Sequence, residues 1–171
     1  MKHFPILVEG PTDRVLLKSF GLSKKEIVKA NGKPKIGTTL EKKSNQYSFV
    51  IADENTDQNS HPFFSRFKTI RYFENYGIII QKYSKIHLIL FSNQLEKWII
   101  NTSSDCGINL KKIGLPAEID KLHDFISQED PPPNEYLILI DEMQKKKCKS
   151  YIFLKNLVLN RNNLSSYLKS L

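Results

Sequence analysis

The chain has 171 residues, 40% of them hydrophobic, enough to bury one core and too few for several domains. Its formal net charge is +8 and its pI about 9.4; basic residues gather at both ends and acids between residues 101 and 144, a balance that suits a polyanionic partner. No apolar stretch exceeds about eight residues, against roughly 20 for a bilayer span, and no basic-then-apolar leader precedes the first strand, so a soluble, cytoplasmic chain without membrane contact is expected.

Residues 4–8 have the length and β-branched content of a buried strand. Gly10-Pro11 ends it, and Val15, Leu16 and Phe20 then take helical spacing over 12–20. Glu9 therefore closes a strand. With Pro11 at the first helical position, Asp13 falls in the first turn, where free N–H groups and the helix dipole favour negative charge. Both acids face the crevice at which open α/β sheets bind ligands.

A second strand at 26–30 is closed by Asn31-Gly32-Lys33-Pro34, and a helix over about 37–45 leads to a third strand at 47–52, Tyr-Ser-Phe-Val-Ile-Ala. Asp53-Glu54-Asn55-Thr56-Asp57 follows it directly. Residues 61–76 read as a helix whose wide apolar face, Phe64, Phe67, Ile70, Tyr72 and Phe73, belongs to a core rather than a stacking platform. Two strands at 77–81 and 87–91 are expected to pair antiparallel at an edge of the sheet, which is otherwise parallel because strands and helices alternate.

From Asn93 helices take over. One at 94–102 sets Leu95, Trp98 and Ile99 on a single face with Glu96 in its first turns, and another covers 115–126. Residues 128–134, with three consecutive prolines, form a surface loop. Residues 136–140 admit a strand with Asp141 and Glu142 at its end, but the helix formers that follow favour one helix from about residue 134. Residues 150–158 and 163–171 are closing helices.

An apolar strand ending in Glu9-Gly10, an acid four residues after the Glu (Asp13), and a later apolar strand ending in the Asp53–Asp57 cluster together resemble the Toprim domains of topoisomerases, primases and OLD-type nucleases. The wider form of the first motif is similar to that of OLD-type nucleases and of small stand-alone Toprim-like proteins. The match departs at Asn55, which stands where the family has its second aspartate, and no glycine follows at the usual place. An Asn carbonyl still suits a hard cation, and Asp57 could replace the missing carboxylate. Leu95-Glu96 and Trp98 after a strand resemble a third segment of the family, so Glu96 is either a third acid or a helix-start acid. The specific motifs cover residues 4–57.

The resemblance implies an α/β, Rossmannoid three-layer Toprim-like domain over residues 1–130 (core 1–92) with a mostly parallel central sheet. A helical C-terminal extension, 131–171, packs on it. It further implies Mg²⁺ or Mn²⁺ held by Glu9, Asp13, Asp53, Asn55 and Asp57, with Glu9 and Asp53 as catalytic carboxylates of a nuclease that hydrolyses or nicks DNA or RNA. Lys33, Lys35, Lys145, Lys146 and Lys147 are candidate phosphate contacts, set against the bland reading of charge runs as solvated faces. Two rival readings stand beside this one. The first is a non-catalytic module with a degenerate metal site, binding nucleic acid or a partner protein. The second is an unrelated α/β domain in which Asp13, Asp53, Asn55 and Asp57 only cap helices.

Other chemistries lack their motifs. Gly32-Lys33-Pro34-Lys35-Ile36-Gly37 has no Gly-Lys-Ser/Thr ending and is not a P-loop, and no Gly-x-Ser-x-Gly or His-Glu-x-x-His occurs. Cys106 and Cys148 are far apart and without Cys-x-x-Cys spacing, so neither a zinc site nor a disulfide framework is expected. His3, His61, His87 and His123 are scattered and receive no role.

Overall fold

The computed structural model describes residues 4–54 and 61–171. Its centre is a six-stranded mixed sheet built from β1 (Ile6–Val8), β2 (Ile27–Lys29), β3 (Phe49–Asp53), β4 (Lys68–Phe73), β5 (Ile78–Tyr83) and β6 (Ile86–Phe91), in the order β2-β1-β3-β6-β5-β4. The β2-β1, β1-β3 and β3-β6 pairs are parallel, while β6-β5 and β5-β4 are antiparallel. The helices are α1 (Pro11–Ser19), α2 (Lys33–Lys43), α3 (Leu95–Asp105), α4 (Leu110–Ile113), α5 (Ile119–Ser127), α6 (Asn134–Lys145), α7 (Lys149–Leu159) and α8 (Leu164–Ser170). No helix among the described residues is long and apolar enough to cross a membrane.

Strand alternation sorts the core into two layers. Ile6, Val8, Phe49, Ile51, Ile78, Ile80, Ile89 and Phe91 face a large cluster filled by α1 and α3 to α8. Leu7, Val50, Ala52, Ile79, Leu88 and Leu90 face a smaller one closed by Ile36 and Leu40 of α2 and by Phe63. Each wholly buried Leu, Ile or Phe removes enough apolar surface from water to contribute about 1.5–3 kcal/mol. The helices after the proline loop share the large cluster through Tyr136, Leu139, Met143, Tyr151, Leu154 and Leu157. Asp130 pins that loop to both α1 and β2, with its carboxylate 2.6 Å from the Arg14 guanidinium and 2.5 Å from Lys29 Nζ.

Four expectations need correction. First, the two strands expected to pair antiparallel do so as β5 and β6, but they are not the edge of the sheet, because the stretch expected as one helix over 61–76 is a 3₁₀ turn at Pro62–Arg66 followed by strand β4, which adds a further antiparallel pair. Lys-Thr-Ile-Arg-Tyr-Phe is rich in β-branched and aromatic residues, and the free edge of β5 supplies the ladder. Phe67 is buried as expected of a core face, but Ile70 (43%) and Tyr72 (53%) are exposed on this edge. Second, Gly32-Lys33-Pro34 opens α2 instead of closing a turn, since Pro falls in the first helical turn where its missing N–H costs nothing. Third, the helix expected over 115–126 begins only at Ile119, after α4 and the left-handed Gly114.

The fourth correction concerns the cysteines. Cys106 and Cys148 form a disulfide across 42 residues, with Cα atoms 5.5 Å apart. Cys106 caps the end of α3 and Cys148 the start of α7, so helix packing, to which sequence spacing is blind, brings the thiols together. The helix from residue 134 is present as α6, and Asp141 and Glu142 lie within it.

Candidate functional site

The parallel register of β1 and β3 pairs Val8 with Ile51. The residues that close these strands, Glu9 and Asp53, therefore emerge side by side at their carboxyl ends. Glu9 Oε1 accepts a 2.8 Å hydrogen bond from the Asp53 backbone N–H. Asp53 Oδ1 in turn accepts from the Leu95 N–H at 2.7 Å, so Asp53 caps α3 from another strand while facing the crevice. Asp13 is buried in the first turn of α1, and its Oδ2 accepts from the Gly10 N–H at 2.8 Å. The capping role foreseen for Asp13 is thus real, and it coexists with a place beside the other two acids.

Glu9, Asp13, Asp53 and Glu96 line one cavity of about 290 Å³, together with Gly10, Thr12, Gly32, Leu95, His123 and Ser127. Glu96 is 3% exposed; its Oε1 lies 2.9 Å from His123 Nδ1, and its Oε2 is buried without a hydrogen-bond partner among the described residues. A carboxylate oxygen in that state is costly unless a ligand meets it. Asn55 and Asp57 lie outside the described residues.

Burial and mutual repulsion raise every acid whose shift is resolved here. Burial pushes the Asp53 carboxyl up to about 7, with Glu9 and then Glu96 adding to the rise and the Leu95 N–H opposing it. Burial likewise raises Glu9, against hydrogen bonds from the Asp53 and Lys33 N–H groups, and drives Asp13 well above the usual carboxylate range, reinforced by Glu9 and Asp53. Beneath them Tyr136, wholly buried, reaches the Thr12 carbonyl at 3.3 Å, and its phenol is held well above its ordinary range by burial and by Asp13.

Lys33 is the cation whose charge reaches Glu9 and Asp53. It is buried rather than displayed: Nζ donates to the Asp53 carbonyl at 2.7 Å and lies 5.2 Å from the centre of the Phe64 ring. Its role as a surface phosphate contact is replaced by one at the rim of the acids. Lys35 is exposed on the same helix. Lys145 pairs with Asp141 at 2.6 Å, and Lys146 donates to the Gly107 carbonyl. None of Lys35, Lys145, Lys146 and Lys147 is among the residues that line the acid cavity.

The residue that sequence reasoning missed is His123. It lies on α5, which is anchored by its buried neighbours Leu122 and Ile126, and no local motif marks it. Glu96 carried a signal, its place after a strand and before Trp98: it is the helix-start acid in the first turn of α3, and it also lines the cavity. Among the described residues no group of three His, Cys, Asp or Glu side chains is arranged to hold a metal ion. No family model matches the chain, and no curated protein and no solved structure matches it.

Proposed function

We propose that the crevice binds Mg²⁺ or Mn²⁺ and that the protein hydrolyses or nicks phosphodiesters of DNA or RNA in the manner of a Toprim nuclease. The observation that carries this reading is the convergence of Glu9, Asp13 and Asp53 on one cavity, each raised first by burial, with the charge of neighbouring carboxylates adding most to Asp13 and Asp53. A fold keeps buried like charges together at a cost to stability, and functional sites are where that cost recurs.

The donor set supports the reading too, since it consists of carboxylate oxygens and Mg²⁺ takes oxygen ligands. Such an ion is commonly held by one or two carboxylates plus substrate phosphates, so a complete protein cage is not required. Glu9 and Asp53 would hold it, with Asp13 beside them in the same cavity. When bound, the cation offsets charge on the phosphodiester and polarises it toward attack. The chain's own residues do the rest. The Leu95 and Asp53 N–H groups fix the two carboxylates, one carboxylate accepts the proton of the attacking water, and Lys33 limits the repulsion between them.

A second reading, a non-catalytic module for nucleic acid or a protein partner, is favoured by the lack of a three-ligand group among the described residues. Incubating the full chain with supercoiled plasmid or single-stranded RNA, with Mn²⁺ or Mg²⁺ and then with a chelator, separates the two. The nuclease reading predicts metal-dependent cleavage that Glu9→Gln and Asp53→Asn abolish. Cleavage unchanged in both variants, or none under any metal, contradicts it.

A further inference from the structure

The proposed function accounts for Glu9, Asp13 and Asp53 but leaves the Glu96–His123 pair without a task. Glu96 is 3% exposed, hydrogen-bonds His123 Nδ1 through Oε1, and holds Oε2 buried with no partner among the described residues. The His123 side chain is 57% exposed, and both residues line the acid cavity. A buried carboxylate against Nδ1 fixes the proton on that nitrogen and orients the ring, so Nε2 is left as the outward-facing atom. A surface histidine with only a packing role has no need of a buried carboxylate behind it.

We propose that His123 is the general acid of this site, protonating the leaving oxygen of the phosphodiester, and that Glu96 is the residue that positions it. This rests on the nuclease reading of the crevice. In the step, the water oxygen forms a bond to phosphorus and gives its proton to Glu9 or Asp53. The bond from phosphorus to the leaving sugar oxygen breaks with its electron pair on that oxygen. The proton on His123 Nε2 transfers to the same oxygen, leaving a neutral imidazole with its Nδ1–H still donated to Glu96. Exchange with solvent restores both groups, and the products are an alcohol and a phosphate monoester.

A leaving group that needs no proton tests this. An oligodeoxynucleotide leaves a sugar alkoxide and needs the acid, whereas bis(p-nitrophenyl) phosphate leaves p-nitrophenolate and does not. The proposal predicts that His123→Ala slows oligonucleotide cleavage about a hundredfold or more, the usual span of general-acid catalysis, and leaves aryl ester hydrolysis within a few-fold of the parent. Glu96→Gln shows the same split in smaller measure. In metal-free protein, nitrogen NMR of neutral His123 is expected to show the proton on Nδ1. An equal loss on both substrates, no loss on either, or a proton on Nε2 overturns the role of His123 while leaving the nuclease reading in place. A parent protein inactive on both substrates overturns that reading and this role with it.

Discussion

Asp53 combines two properties that usually oppose each other, a structural hydrogen bond to α3 and a carboxyl raised to about 7 by burial and by Glu9. Its folded value lies above the unfolded value of 3.8, so between these the native state holds a proton that the unfolded chain has released. The Asp53 contribution to the stability of the metal-free protein therefore falls as pH rises from about 4 to 7 and then levels. Asp53→Asn keeps an acceptor for the Leu95 N–H and removes the charge. It is expected to raise the melting temperature at pH 8 by roughly 5 °C, with little gain at pH 4, by calorimetry without divalent cations.

His87 runs the other way. Buried on β6 with Ser165 Oγ at 3.4 Å, it is pushed down to about 4 by burial and by Lys82. The unfolded chain takes up the proton first, so stability contributed by neutral His87 is complete above pH 6.5 and is lost as pH falls toward 4. His87→Gln should flatten that part of the urea-denaturation profile; an unchanged slope between pH 6.5 and 4 would rule the effect out.

At the scale of elements, the strands that were legible are those whose surroundings agree with their composition. β1, β3 and β6 are apolar runs buried on both faces, as central strands must be. β4 was not legible, because its spaced aromatics fit a helical stripe as well as a pleat, and only the open edge of β5 decides between them. That edge is blunted by Lys68 and Arg71 and by an irregular register between Thr69 and Arg71, the means by which exposed edges avoid pairing with other chains. The site divides in the same way. Glu9, Asp13 and Asp53 could be found because each follows a strand within a few residues, whereas His123 joins them only through the packing of α5.

Gly37 gives an element-scale test. A glycine inside a helix ordinarily costs about 1 kcal/mol relative to alanine, so Gly37→Ala in α2 should stabilise. Here an added Cβ would stand 2.3 Å from His61 Cβ and Cγ, atoms too close to their backbone to swing away. Overpacking of this kind costs about 1–3 kcal/mol and outweighs the gain. A net loss of about 1 kcal/mol in chemical denaturation is expected; a gain would mean that the contact of α2 with the 62–66 turn yields freely.

For the whole molecule, the sheet and the later helices share one large core cluster, and the Cys106–Cys148 disulfide ties the end of α3 to the start of α7. Closing a loop of 42 residues restricts the unfolded chain by up to about 4 kcal/mol on the loop-entropy account. Alkylation under non-reducing conditions should label no thiol, and reduction should lower the denaturation midpoint. Labelling of both cysteines in the native protein would contradict the bridge.

Everything said of function turns on whether the acids of β1, α1 and β3 meet a cation. Calorimetric titration of the metal-free chain with Mn²⁺ and then Mg²⁺ tests this most directly. Saturable binding is predicted, weakened at least about tenfold by Asp53→Asn, the usual scale for loss of one charged contact. No heat of binding, or an affinity unchanged in both Asp53→Asn and Glu9→Gln, would show that the crevice is not a metal site.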